Sequence, residues 1–455
     1  MVSFPTVYQR VVGHWRAITL LLILALGTFL IAHAELFLLF VVALLFIASQ
    51  IFWIKRMIDV GEWLLPSQPS RAQVAIIVCL AYLFLISYSY PTTIGQGHTF
   101  RADFYRLPNI VAEAVFWWWF VGSMLAFVLV IVFGIVDHAA RAAVWVYRKA
   151  RRTTQRRVVT ADSEGAAPSP SRRHFLQRAS SLVSATPFVA AGYGFFYERL
   201  DVEIVRQRIR LARLPKAFEG FRIAQLSDIH MGPFATADYI RRCVAITNEL
   251  EPDLIVLTGD YIAWDPGAAK GVVHALADLH APHGVFACLG NHESEGETEQ
   301  FITALFTEQN IRVLRQERMP IQLRGEALNL IGIDDPRGES EAEWKGDVYR
   351  RLHQGLLMPG TVNLLLAHEP SDLLFDRAAD LGVDLTLAGH THGGQLSLNF
   401  IDRRLNLSHL LYRYTNGWYE KRGAQLYVNR GIGITGFPIR FGAPPEITLL
   451  ELTRT

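Results

Sequence analysis

The chain has 455 residues, 51% of them apolar, and a formal net charge of +2. That total hides two opposite halves: residues 1–200 carry 18 Lys/Arg against 9 Asp/Glu, and residues 201–455 carry 26 against 33. The composition excludes a disordered chain, an ordinary soluble enzyme and a basic nucleic-acid binder, because the surplus positive charge lies between long apolar runs. Cys79, Cys243 and Cys288 are too few for a disulfide framework and lack metal-motif spacing.

A helix needs about 20 apolar residues to cross a bilayer, since its backbone must be satisfied within the lipid. Four stretches qualify: Ala17–Ala34, Leu36–Ile54, Ala72–Tyr90 and Ala114–Val136. The first two read as a tight hairpin turning at His33–Glu35, and the fourth opens with Trp117, Trp118 and Trp119 at interfacial depth. Glu113 and Asp137 sit at the ends of the fourth stretch, where both can reach the interface. Residues 1–140 are therefore expected to be an all-α multi-pass membrane domain.

Lys and Arg favour the cytoplasmic side. Arg10 and Arg16 precede the first span, Lys55, Arg56 and Arg71 follow the second, and a dense cluster from Arg141 to Arg157 follows the fourth. Both ends of a four-span bundle then lie on the cytoplasmic side of an inner membrane. Residues 141–178 form a basic linker containing Ser171-Arg172-Arg173-His174-Phe175-Leu176, followed by a weakly apolar run over 179–197. That order is similar to a twin-arginine export signal, which implies the twin-arginine translocase as a partner during export. The run predicts a fifth, signal-anchor span that sends the remaining domain, 201–455, to the extracytoplasmic side.

From about Leu200 short aliphatic runs alternate with amphipathic stretches. Runs at 222–227, 254–259, 285–290, 362–367 and 385–389 read as buried strands, with further strands at 319–324, 327–333, 424–428 and 446–452. Helical spacing occupies Thr236–Leu250, Gly267–Ala281, Glu295–Gln309 and Glu369–Leu381. The expected fold is an α/β domain of four layers (αββα), two sheets enclosed by helices.

Five strands end in chemistry-bearing residues: Ser227-Asp228-Ile229-His230, Gly259-Asp260, Gly290-Asn291-His292-Glu293, His368-Glu369, and Gly389-His390-Thr391-His392-Gly393-Gly394. Sites of α/β sheets lie at the carboxyl ends of strands, so these residues converge on one crevice. Imidazole and carboxylate are ligands for Zn, Mn, Fe and similar metals. Two apart in an extended segment, Asp228 and His230 are expected to point the same way, as are His390 and His392, each pair bracketing a metal. The glycines among them let the backbone turn sharply. Glu293 either orients His292 or is a helix-start acid. Arg430 and Arg440 flank a glycine-rich tail loop and either contact a phosphate or serve the structure. His274, His280, His283, His353 and His409 lack such context and read as structural.

The order D-x-H, G-D, G-N-H-(D/E), H, G-H-x-H closely resembles the calcineurin-like metallophosphoesterase superfamily over roughly 205–455, and LSDIHMG, GHTHGGQ and the tail VNRGIGITGFPIRFGAPPEITLLEL are similar to its membrane-associated bacterial branch. The resemblance implies two divalent cations (Mn, Fe, Zn or similar). Asp228, His230, Asp260 and His392 would hold one, and Asp260, Asn291, His368 and His390 the other, with Asp260 shared. His292 would face the substrate and stabilise or protonate the leaving oxygen. Two cations about 3.5–4 Å apart clamp a phosphate and activate a water.

The expected activity is hydrolysis of phosphomonoesters or diesters, and the anchor biases it toward lipids or other membrane-borne substrates. A related branch includes a UDP-diacylglucosamine hydrolase, whose substrate would require a cytoplasm-facing domain. A receptor or transporter carrying a non-catalytic module is the other class, and the complete motif set argues against it.

Overall fold

The computed structural model describes residues 34–64, 73, 77, 107–154, 170–263, 265–293, 298–334, 350 and 352–454. The chain divides into two units, Met1–Phe84 with Phe120–Pro187, and Leu85–Trp119 with Phe188–Thr455.

In the first unit, helix α1 spans Ala34–Leu64, and helix α2, Leu107–Thr154, contributes all but its first turns. Gln50 Nε2 donates to Ser123 Oγ at 3.1 Å, and Trp53 Nε1 donates to the Ser123 carbonyl at 2.9 Å. Such bonds hold apolar helices together where burial in lipid offers little driving force. Among the described residues two helices are long and apolar enough to cross a membrane, with windows Phe40–Met57 and Glu113–Lys149. They cover most of the second expected span and all of the fourth. The first span apart from Ala34, and the third apart from Gln73 and Ile77, lie outside the described residues.

Helix α3, Pro170–Phe196, occupies the place of the expected fifth span and is not among those two helices. Ser180, Ser181, Ser184, Thr186, Pro187, Gly192 and Gly194 dilute its apolar run. Its last turns belong to the second unit, where Phe195 stands edge-on to Phe234 at 6.0 Å. Glu113, expected to reach an interface, is buried.

The second unit carries two six-stranded mixed sheets. The first is built from Glu203–Leu211 (β1), Arg222–Leu226 (β2), Leu254–Thr258 (β3), Val285–Cys288 (β4), Ile311–Val313 (β5) and Glu446–Arg454 (β12), in the order β1-β12-β2-β3-β4-β5. The other is built from Glu317–Leu323 (β6), Glu326–Gly332 (β7), Val362–Leu366 (β8), Leu385–Ala388 (β9), Gly417–Lys421 (β10) and Ala424–Val428 (β11), in the order β10-β11-β9-β8-β7-β6. Strands β2, β3, β4 and β5 run parallel, as do β7, β8, β9 and β11.

Every residue of β3, β4, β8 and β9 is buried, because both faces are covered. Leu254 and Val256 of β3 meet Leu364, Leu366 and Leu387 between the sheets. Ile255 and Leu257 face helices α4 (Ala237–Glu249), α5 (Ala269–Leu276) and α6 (Thr298–Glu308). On the far side of the second sheet, Ile331 and Leu365 pack on Leu374 and Ala378 of α7 (Asp372–Leu381). These are the four expected layers. In α4, Ile240, Cys243, Val244 and Thr247 form the buried stripe, with Thr236 accepting from the Tyr239 N–H as cap. Strands β1, β5 and β10 escape the aliphatic pattern. Four charged side chains interrupt β1, only three residues make β5, and β10 is a half-exposed edge.

Candidate metal centre

Strands β2, β3, β4, β8 and β9 deliver the motif residues at their carboxyl ends. The segments beyond β2, β3 and β9 are not extended. Asp228, His230, Asp260, His390 and His392 have φ of 49, 45, 56, 70 and 52°. Left-handed backbone at non-glycine residues costs about 1–3 kcal/mol and persists where the surroundings enforce it. Here the Asp228 N–H donates to the Gly259 carbonyl and the His230 N–H to the Asp260 carbonyl, both at 3.0 Å. The chain curls at once after each strand, so alternation along a strand does not orient these pairs. His390 and His392 accordingly part to different clusters.

In one cluster, His392 Nε2 lies 3.3 Å from Asp228 Oδ1 and 3.0 Å from His230 Nε2. In the other, Asn291 Oδ1 lies 3.1 Å from His368 Nε2 and 2.9 Å from His390 Nδ1. Asp260 Oδ2 stands between them, 3.4 Å from His230 Nε2 and 3.1 Å from His368 Nε2. Asp228, His230, Asp260, His368 and His392 are buried, whereas Asn291, His292 and His390 are partly open at the mouth. All eight expected residues come together. His292 Nε2 sits 3.8 Å from Asp260 Oδ2, close enough for its ring to share a candidate cluster with His230 and Asp260.

The chemistry of the donors fits cations. His230 Nδ1 donates to the Ile262 carbonyl at 3.3 Å, and His368 Nδ1 to the Thr258 carbonyl at 2.7 Å. A carbonyl can only accept, so in each neutral ring the Nε2 lone pair is turned toward the Asp260 carboxylate. Lone pair facing carboxylate is repulsive unless a positive charge stands between them. Burial pulls the His230 pKa down to about 3, which keeps the ring neutral. Burial first, and then the nearby Arg440 guanidinium, hold His392 well below the ordinary histidine value. Burial pushes the Asp228 carboxyl up to about 6. For Asp260 burial acts upward too, but His368, His230 and His292 outweigh it and hold the carboxyl well below the usual range.

Close backbone approach completes the cradle. A side chain at Gly290 would collide with Asp260 Oδ1, and one at Gly389 with Asp228 Oδ2. Glu293 does neither thing expected of it. Fully buried, it accepts from the N–H groups of Asp260, Tyr261, Ile262 and Gly290 at 2.9, 2.8, 3.2 and 3.0 Å, clamping the loop that carries Asp260. The His292 ring is set instead by the Ala263 carbonyl, to which its Nδ1 donates.

Both tail arginines are structural. Arg430 pairs with Glu446 and Glu203 at 2.5 and 2.6 Å. Arg440, fully buried, donates to the carbonyls of Gly433, Ala443, Arg430 and Gly431 and reaches within 3.1 Å of His392 Nδ1. Tyr412, whose hydroxyl lies 2.8 Å from His390 Nε2, had no signal in the sequence, being a lone aromatic in a loop.

Residues 221–394 match the family described as calcineurin-like phosphoesterase. The chain is 33% identical to the uncharacterised metallophosphoesterase YkuE of Bacillus subtilis (strain 168), over 63% of this chain and 98% of that one. It is 31% identical to the phosphodiesterase YaeI of Escherichia coli (strain K12), over 62% of this chain and 99% of that one. A transmembrane protein with metallophosphoesterase domain from Danio rerio is 30% identical over 58% of this chain and 60% of its own length. The Bacillus subtilis and Escherichia coli relatives, covered almost end to end, and a family match that spans the clustered carboxylates and imidazoles make this chain a member of the calcineurin-like phosphoesterase family and a hydrolase of phosphoric esters.

Proposed function

We propose that the protein is a membrane-anchored, dinuclear metal-dependent phosphoesterase acting on lipid or other membrane-borne phosphoesters at the extracytoplasmic face. The observation that carries the two-metal reading is the position of Asp260 Oδ2 between His230 Nε2 and His368 Nε2, at 3.4 and 3.1 Å. Asp228, His230, Asp260 and His392 would hold one cation, and Asp260, Asn291, His368 and His390 the other. When bound, the pair supplies Lewis-acid charge that polarises the phosphoryl group and activates a water. Asp260 is shared because its carboxylate is held ionised between two rings. Carbonyl-anchored Nδ1 atoms keep His230 and His368 in the tautomer that binds through Nε2. His292, fixed at Nδ1 by Ala263, presents Nε2 at the open mouth, where it is placed to hand a proton to the leaving oxygen.

Membrane substrates are supported by the two apolar helices in the same chain. The outward orientation is supported by the Lys/Arg distribution and the Arg172-Arg173 pair. Full-length protein with added manganese is expected to hydrolyse bis-(p-nitrophenyl) phosphate and to release phosphate from phospholipid phosphoesters. Inactivity with every divalent metal would favour a non-catalytic module. An alkaline phosphatase fused at the C-terminus is expected to be active in cells, whereas a silent fusion would put the domain in the cytoplasm and favour a nucleotide-sugar lipid substrate.

A further inference from the structure

Beside the metal centre the chain makes an outward loop. The Ser397 N–H donates to the Phe441 carbonyl at 2.8 Å and the Leu398 N–H to the Leu405 carbonyl at 2.7 Å, tying the loop's base. Asn406 caps the short turn Leu407–Leu410. Ser408 Oγ donates to the Thr391 carbonyl at 2.9 Å, and Tyr412 ends the loop against His390. The loop is therefore ordered by polar bonds at its root, while its crest is apolar and bare: Phe400 is 69% exposed, Ile401 67%, Leu410 75% and Leu411 69%. Four such bare apolar side chains on one hydrogen-bonded loop mark an interaction surface.

The loop's surroundings name the partner. Phe400 stands edge-on to Phe441 at 6.2 Å, and Phe441 edge-on to Tyr193 at 6.4 Å. Phe437, in the same tail segment, meets Trp117 at 6.2 Å. Trp117 lies in the first turns of the apolar window Glu113–Lys149, the depth that tryptophan prefers at a bilayer surface. Phe400 and Trp117 thus both pack on the one aromatic tail segment that carries Phe437 and Phe441. Arg403 and Arg404 are exposed in the same loop, Arg403 donating to the Trp418 carbonyl at 3.3 Å and lying over the Tyr419 ring.

We propose that residues 398–411 form a lip that dips into an anionic phospholipid surface. Phe400, Ile401, Leu410 and Leu411 enter the acyl boundary, and Arg404 meets headgroup phosphates. The lip sets the metal centre's mouth, through Tyr412, against the bilayer surface. This goes beyond the assigned hydrolysis and does not depend on it.

The test uses full-length protein carrying Cys79→Ser, since Cys243 and Cys288 are buried. Ile401→Cys, Leu410→Cys and, as reference, Ala245→Cys are labelled with an environment-sensitive fluorophore in phosphatidylethanolamine/phosphatidylglycerol nanodiscs. Ala245 is exposed on α4, which runs back toward the start of β2, where Arg222 Nη1 donates to the Leu250 carbonyl at 3.3 Å. Lipids bearing a doxyl group near the headgroup are expected to quench both lip labels by about twofold or more and to leave the reference unchanged. Phe400→Cys provides a second crest position if either lip variant misfolds. Absence of quenching, or equal quenching at Ala245, overturns the proposal. A disulfide joining two chains of the unlabelled Leu410→Cys variant, without lipid quenching, would overturn it in favour of a contact with a second copy. The readout involves no hydrolysis, so an inactive enzyme would leave it intact.

Discussion

His368 Nε2 lies 3.1 Å from Asp260 Oδ2 although the two residues belong to different sheets. Asp260 follows β3 of the first sheet and His368 follows β8 of the second, and the Thr258 carbonyl accepts from His368 Nδ1 at 2.7 Å across the same gap. The candidate metal centre is therefore a joint between the sheets, and Asp260 is its shared member.

Replacing that member tests the joint. Asp260→Asn removes the charge that both clusters use and is expected to lower turnover by more than about a hundredfold, beyond the usual cost of losing an outer partner. Metal content by mass spectrometry should fall with it. An Asp260→Asn enzyme with substantial activity and unchanged metal would contradict the assignment.

His292→Ala separates proton transfer from metal binding. Turnover of bis-(p-nitrophenyl) phosphate should drop about 10²–10⁴-fold, the range for a positioned acid. Metal content should stay near that of the parent. Loss of metal in this variant would make His292 a ligand, as its 3.8 Å approach to Asp260 Oδ2 permits geometrically.

Glu293→Gln substitutes an amide for the carboxylate that accepts four backbone N–H groups. One oxygen becomes a donor facing donors, at a cost of about 2 kcal/mol. Because the clamped loop carries Asp260, metal affinity should weaken about 10–100-fold. Thermal melting and metal titration measure the two effects, and a variant indistinguishable from the parent in both would refute the clamp.

Acid should strip the centre. Burial raises the Asp228 carboxyl to about 6, so below that pH a proton competes with a cation for it. His230, with its pKa drawn down to about 3, remains neutral and adds no competition at pH 5. With one proton displaced per cation, apparent metal affinity should fall about tenfold per pH unit below pH 6. Metal retained after dialysis at pH 7.5 and at pH 5.0 reports it, and equal retention would exclude Asp228 as the competing group.

The inventory and order of the candidate centre are legible in the chain alone. Buried strands read as unbroken aliphatic runs, and parallel strands place the residues at their carboxyl ends along one edge, so Asp228, Asp260, Asn291, His368 and His392 were legible as neighbours. The chain alone also determines the apolar windows within α1 and α2, since span length and hydropathy are local properties. Local patterning fails where the backbone leaves its regular state or where distant segments meet.

The left-handed turns at Asp228, His230, His390 and His392 send side chains where strand alternation does not, and tertiary hydrogen bonds from the Asp228, His230 and His390 N–H groups help sustain them. Which backbone groups Glu293 clamps, and which carbonyls hold Arg440, depend on loops brought together by the closing sheets. The same closing put Tyr412 on His390 and left the crest of residues 398–411 facing outward.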